Sequence, residues 1–508
     1  MLLKRELIQQ GKIDEKLISF KGEGLPEKVI QFGEGNFLRA FVEWMFHEMN
    51  KKGLFNGKAV AVQPIPFGRA KEINEQDGLY TLILRGIQQG QVIEKKEIIT
   101  SLSRCINPYE NYDELLKCAE NPEIKYMISN TTEAGIAYDK EDSLENKPPK
   151  SFPGKVTAYL YHRFKHFNGA PDKGMVIIPC ELIDRNGDKL KEIVLKLIQD
   201  WNLSEEFKEW VEQNCKFLNT LVDRIVTGYS EKDVEKIREE YGYQDKNLDT
   251  GEIFHLWVIE GDEKLKEELP FHKAGLNIIW TDDMTPYRTR KVRILNGAHT
   301  MTVPTGFLYG IDTVKEAVEH PVIGKYMEKG IYEEIIPSLD LDKKDMLKFA
   351  NDVVERFKNP FIKHYLIDIS LNSTSKFKTR VLPSIIEYVK RKGQLPKILT
   401  FSLAALIAFY RGTVIKDGKL IAKRNGEEYE IRDNIEALKF FKNLWNREIK
   451  NEDDFKAIVD KVLCHEKFWG QDLREVEGLK ATVATYLKQI IERGMEESVA
   501  KLVKEKEV

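Results

Sequence analysis

Short β-branched or aromatic runs alternate with helix-patterned segments up to about residue 283, and this alternation constrains the fold more than any other feature of the chain. The runs are KVIQF (28–32), KAVAVQPI (58–65), LYTLILRG (79–86), IKYMISN (124–130), GMVIIPCEL (174–182) and LNIIWTDD (276–283). Helical periodicity follows several of them, as in FLRAFVEWMFHEMN and PGKVTAYLYHRF. Near-continuous apolar strands interleaved with helices read as a parallel sheet covered on both faces. Past residue 286 the pattern changes, and nearly every segment carries helical spacing, including DMLKFANDVVERF, RVLPSIIEYVKR and the last stretch, 473–504. One exception is GKLIAKRNGEEYEI, where Asn425-Gly426 between alternating residues predicts a small hairpin. The expectation is therefore an α/β domain over 1–284 and a mainly helical domain over 285–508.

Bulk composition narrows the function. A chain of 508 residues is too long for one ordinary core. With 42% hydrophobic and 32% charged residues it is globular rather than disordered. Lys+Arg 79 against Asp+Glu 82 leaves a net charge of -3, which argues against the broad basic face that a nucleic acid or a membrane surface would need. The five cysteines are scattered with no CxxC pair, fit no zinc spacing and suit a reducing cytoplasm. The N-terminus alternates charge without an apolar core, so no signal peptide is expected. The longest apolar run, ILTFSLAALIAFY, is too short to span a bilayer and reads as a buried helix.

Directly after the first run comes GEGNFLRAF (33–41), then a helix. A strand, a tight glycine turn and a helix N-terminus place free N–H groups and the positive helix end where a pyrophosphate can sit. Gly33 and Gly35 match the first two glycines of the dinucleotide fingerprint, while the third position is Leu38. An ordinary βα turn is the alternative. The second run ends in Val62-Gln63-Pro64 without the acidic residue that usually holds the ribose, so it does not separate NAD from NADP.

KVRILNGAHT (291–300) opens the helical half. At about 100° per residue, Lys291, Asn296 and His299 fall at roughly 0°, 140° and 80° on one side of a helix. A lysine can act as general base while Asn and His donate hydrogen bonds to an oxygen gaining negative charge. The alternative is a solvated helix start, since Arg288, Arg290, Lys291 and Arg293 form a charge run. His162 and His166 stand four apart without an acidic partner between them, and no metal site is expected.

KVRILNGAHT resembles the K-x4-N-x2-H signature of the long-chain, metal-independent polyol dehydrogenases, the mannitol dehydrogenase family. GEGNFLRAF resembles that family's G-x-G-x-F-x-R-A box. The likeness is closer still to the branch that interconverts tagaturonate and altronate, through SNTTEAGI, IIPCELIDRNG, LVDRIVTGY, YEEIIP and LAALIAFYRG in the same order. The resemblance implies a Rossmann-type domain followed by an all-α domain, NAD as cofactor and a small uronate or aldonate as substrate. It implies Lys291 as general base, with Asn296 and His299 holding the carbonyl oxygen. Gly33, Gly35, Asn36, Phe37, Arg39, Asn130 and Glu133 would bind the cofactor, and Asp223 and Lys376 the substrate. A uronate carries a carboxylate, so nearby cations are expected, with Lys378 and Arg380 as further candidates. Two departures count against a plain polyol: a family asparagine is Leu182, and a family arginine is Asp368. The nearest rival is the sister activity, fructuronate reductase; next comes another polyol dehydrogenase, and outside enzymes a nucleotide-binding regulatory protein. Oligomeric state is not readable.

Overall fold

The computed structural model describes residues 1–504 and divides into two units, one over Met1–Met284 and the other from Thr285 onward. In the first, six strands form a parallel sheet: β1 (Glu27–Phe32), β2 (Lys58–Val62), β5 (Leu102–Ile106), β6 (Tyr126–Ser129), β7 (Val176–Pro179) and β8 (Lys216–Phe217). Their order is β5-β2-β1-β6-β7-β8, so the chain reverses direction across the sheet at β1. That reversal is the switch point at which such sheets bind ligands beyond the strand ends.

Period-two alternation sends each strand's side chains to two cores. Ile30, Phe32, Val60, Val62, Met127 and Ile177 pack under helices α2 (Tyr112–Ala119), α3 (Phe152–His166) and α4 (Asn186–Asp200). Val29, Ala59, Ala61, Ile128 and Ile178 face the opposite side, where they meet Phe41, Met45, Phe46 and Met49 of α1, the helix over residues 36–51. Ser151 caps α3 by accepting the Gly154 amide hydrogen.

Two of the six sequence runs lie outside this sheet. The run at 79–86 becomes β3 (Tyr80–Gln88), which pairs antiparallel with β4 (Gln91–Ile99) and parallel with β10 (Asp249–Glu252). Its turn is Gln89-Gly90, both with positive φ (53° and 76°), and a two-residue turn of this kind can join only antiparallel neighbours. The run at 276–283 becomes β12 (Ile278–Thr281), beside β11 (Leu256–Glu260) and β9 (Thr220–Asp223) in a third small sheet.

The second unit is mostly helical. Residues 285–309 form one continuous helix, α5, which widens into a π turn at Lys291–Asn296. Around it stand α6 (Lys343–Phe357), α7 (Ser373–Arg380) and α8 (Lys397–Phe409), and α9 (Leu479–Arg493) lies against α8. From Ile398 onward α8 is buried on every side and packs against α5 and α9. No helix of the described residues is long and apolar enough to cross a membrane. Glu334 ties α8 down by accepting the Ile398 and Leu399 amide hydrogens, each at 2.8 Å. The predicted hairpin is β14 (Lys419–Arg424) and β15 (Glu427–Ile431), turning on Asn425-Gly426 with positive φ at both; β13 (Gly412–Lys416) adds a third strand.

Candidate active site

The glycine turn is built for a chain that must pass close to its neighbours. Gly33 has φ +114°, and a Cβ there would lie 2.8 Å from the Asn130 carbonyl oxygen. Its amide donates to the Val62 carbonyl at 2.9 Å, which ties the turn to the end of β2. Gly35 is the reverse case: it is exposed, and a Cβ would meet nothing within 4 Å. It is also the N-cap of α1 and makes no side-chain cap bond. The first amides of α1 are thus left for something outside the protein, which is what an approaching pyrophosphate requires. Beyond the same strand ends lies a cavity of about 700 Å³, lined by Pro64 and Ile65 after β2 and by Thr131, Thr132 and Gly135 after β6. On these observations the turn fits a dinucleotide.

The structure divides the other residues expected at this turn. Asn36 and Phe37 are half-buried, and Phe37 stacks on Phe41 with ring centroids 5.0 Å apart. Arg39, also expected on the cofactor, is 0% exposed. Its guanidinium donates to the Glu34 carbonyl (3.2 Å), to Asn36 Oδ1 (2.6 Å) and to the Asn247 carbonyl, with Asp249 3.9 Å away. Arg39 therefore fixes the turn from inside. Asn130 stands beside the turn, its side-chain amide donating to the Cys180 carbonyl at 2.9 Å, while Glu133 is exposed on the loop that follows. The sequence reading missed Glu181, which shapes that loop: its buried carboxylate accepts from the Thr131 amide (2.9 Å), Thr131 Oγ1 (2.9 Å) and Ser129 Oγ (3.0 Å). Asp223 ends β9 in this unit and is buried. Leu182 is 61% exposed just past β7.

In the second unit the π turn changes the geometry of the lysine, asparagine and histidine. In an α-helix, bonded i to i+4, residues four apart share a face. Where bonding runs i to i+5, residues five apart take that place. Lys291 and Asn296 are five apart and span the π turn, so Asn296 turns toward Lys291 instead of standing roughly 140° away. Helix α5 then resumes, and His299 follows Asn296 by three residues on the same side. All three are half-buried. The Asn296 amide makes no hydrogen bond among the described residues, and His299 Nε2 is buried with no partner.

The surroundings of His299 come from distant parts of the chain. Its ring stacks on Phe357 at 4.3 Å and meets His364 edge-on at 5.1 Å. Burial holds its pKa well below the usual imidazole range, and His364, Arg356, Arg380 and Lys376 add to the effect. His299 is therefore neutral at working pH, with one ring nitrogen a donor and the other an acceptor. Burial likewise lowers the His364 pKa, with Lys376 adding to this and Asp368 opposing it. Neither His364 nor Arg356 was expected from the sequence. Arg356, on α6, is only 8% exposed.

Lys376 sits on α7 with Nζ donating to the Ile369 carbonyl at 2.8 Å. Asp433 holds the start of α7 by accepting from the Thr374 amide (3.2 Å) and Thr374 Oγ1 (2.9 Å). Lys378, in contrast, packs its Cε against the Gly470 turn. Asp368 is paired with Arg432 at 2.9 Å. Gly297 explains how α5 and α7 meet: a Cβ there would stand 3.1 Å from the Arg380 carbonyl oxygen. Of the expected substrate residues, Lys376 and Arg380 lie near enough for their charge to act on His299. Among the described residues no group of three or more His, Cys, Asp or Glu could hold a metal ion, and His162 is instead paired with Glu120 at 2.8 Å.

Comparison with known proteins places these two units in a family context. Residues 27–273 match the mannitol dehydrogenase Rossmann domain, and residues 283–491 the mannitol dehydrogenase C-terminal domain. Altronate oxidoreductase of Escherichia coli O139:H28 (strain E24377A / ETEC) is 48% identical over 484 residues, 95% of this chain and 98% of its own. The Shigella flexneri altronate oxidoreductase shows the same identity and coverage. Among solved structures, Pseudomonas fluorescens mannitol 2-dehydrogenase, in a ternary complex with NAD and D-mannitol, superposes with a TM-score of 0.72 at 21% identity, covering all of both chains. A substrate-free D-sorbitol dehydrogenase gives 0.81 at 21% identity, over 98% of this chain and 100% of that one. These two likenesses speak to the fold.

Proposed function

The chain belongs to the mannitol dehydrogenase family, and from that membership and the geometry above we propose that it is an NAD-dependent reductase interconverting D-tagaturonate and D-altronate. The relatives at 48% identity over 95% of the chain carry the substrate assignment. The observation that carries the chemistry is the pair of unpartnered polar groups, the Asn296 side-chain amide and His299 Nε2, on the same side of one helix as Lys291.

The glycine turn, with Gly33 and Gly35, would hold NADH, which would supply the hydride when bound. The Lys291 ammonium gives a proton to the keto oxygen as the carbon is reduced, and in the reverse direction the free amine removes the hydroxyl proton. Asn296 donates a hydrogen bond to that oxygen while negative charge builds on it. Neutral His299 donates a second through its ring N–H. A cationic imidazole would be costly at this buried position, beside Arg356, Arg380 and Lys376. Those same cations suit a substrate that carries a carboxylate. Asp223 is a further proposed substrate contact, on the strength of the family motif it belongs to.

Replacing Lys291 tests the assignment. In Lys291→Ala, turnover should fall by about 10²- to 10⁴-fold, with NADH binding retained. Full turnover in that variant would remove Lys291 from the chemistry.

A further inference from the structure

We propose that Glu34, the residue between the two glycines of the turn, holds the adenosine ribose and selects NAD(H) over its 2′-phosphorylated counterpart. This rests on the nucleotide half of the reading above and names the residue that would decide between the two cofactors.

Dinucleotide folds of this type usually place an acidic side chain at the end of the second strand, where it accepts hydrogen bonds from the ribose diol. Here β2 ends at Val62, and the chain runs through Gln63-Pro64-Ile65-Pro66-Phe67-Gly68 without an acid. The first one, Glu72, already lies inside the short helix Ala70–Glu75. The carboxylate arrives from another direction. Glu34 turns toward this loop, and its Oε1 accepts the Arg69 amide hydrogen at 3.3 Å. Gly68 keeps the place open, since a Cβ there would lie 2.2 Å from Glu34 Oε1 and 2.5 Å from Gln63. A glycine with an ordinary φ is explained by that carboxylate and not by the backbone.

The surroundings suit two donors. Glu34 is 7% exposed, and its own amide and that of Arg69 are the only described donors to its carboxylate, which leaves acceptor capacity for more. The loop it supports lines two cavities, of about 700 and 760 Å³, one through Pro64 and Ile65 and the other through Gln63, Phe67 and Gly68. Burial raises the Glu34 pKa against the opposing pull of Arg39 and Arg69, so a hydroxyl that donates to this carboxylate replaces lost hydration. A vicinal diol supplies two such hydroxyls. A 2′-phosphate would put its negative charge against the carboxylate instead. The Arg69 guanidinium is engaged elsewhere, donating to the Lys246 carbonyl and to Asn247 Oδ1.

Glu34→Gln keeps the size of the side chain and an oxygen for the Arg69 amide, so the test isolates charge and acceptor number. Dissociation constants for NADH, NADPH and NADH lacking the adenosine 2′-hydroxyl are measured by tryptophan fluorescence quenching on wild type and variant. Wild type should bind NADH roughly tenfold or more tighter than either analogue. In the variant both ratios should shrink by a similar factor, with NADH weakened. Should Glu34→Gln fail to fold, Glu34→Asp, which withdraws the charge by one methylene, gives the same comparison. Ratios equal in wild type and variant would make Glu34 a structural strut and overturn the proposal. Wild type that binds NADPH as tightly as NADH would overturn it too. Failure to bind any of the three would instead sink the nucleotide reading itself.

Discussion

At His299 and at His255, burial and neighbouring positive charge act in the same direction and hold an imidazole neutral. The cause at His255 is burial first, then Arg224, and together they bring its pKa to about 3. Its Nε2 accepts the Asn277 amide hydrogen at 2.9 Å, so protonation would also remove an acceptor. Because the folded-state pKa lies below the usual value near 6.5, the unfolded chain binds the extra proton first. The stability this provides is complete above about pH 6.5 and is lost as pH falls toward 3. The thermal midpoint should therefore drop between pH 7 and pH 4, and drop less steeply in His255→Gln. Equal slopes in the two proteins would show that His255 is not the group responsible. His364 and Arg356 were invisible before the fold was known for a simple reason: they lie more than fifty residues from His299 in sequence, and only packing brings them together.

The helix over 285–309 carries the element-scale argument. Its periodicity is legible, and so are the Lys, Asn and His on it. The π turn is not, because i to i+5 bonding leaves no mark of its own on composition. Asn296 and Gly297, two weak helix formers, are the nearest thing to a signal. Gly297 has a packing reason, since the Arg380 carbonyl sits 3.1 Å from where a Cβ would be. In Gly297→Ala, better helix propensity should offset most of the overpacking, each amounting to about 1 kcal/mol. The thermal midpoint should then stay within a few degrees, while the displaced α7 lowers turnover by about tenfold. Unchanged turnover would mean that the Arg380 carbonyl yields without moving the site. Strands show the same limit. The runs at 79–86 and 276–283 are strands, but which sheet a strand joins depends on partners far away in the chain.

On the scale of the whole molecule, the alternation of strand and helix sufficed to expect an α/β unit followed by a helical one, and the motif blocks to expect the Rossmann type and the family. The positive surroundings of His299 were only partly legible. Lys376 and Arg380 follow from the motif and from the demand of a carboxylate, whereas Arg356 and His364 come from the fold. The central claim is that this positive site belongs to a keto sugar acid. The most direct measurement is the initial rate of NADH oxidation, followed by absorbance, with tagaturonate, fructuronate and fructose offered in parallel. The expected result is a kcat/KM for tagaturonate that exceeds that for fructose by about a hundredfold or more, because fructose offers these cations no carboxylate, with fructuronate trailing tagaturonate. Fructose reduced as efficiently as tagaturonate, or no turnover with either uronate, would contradict it.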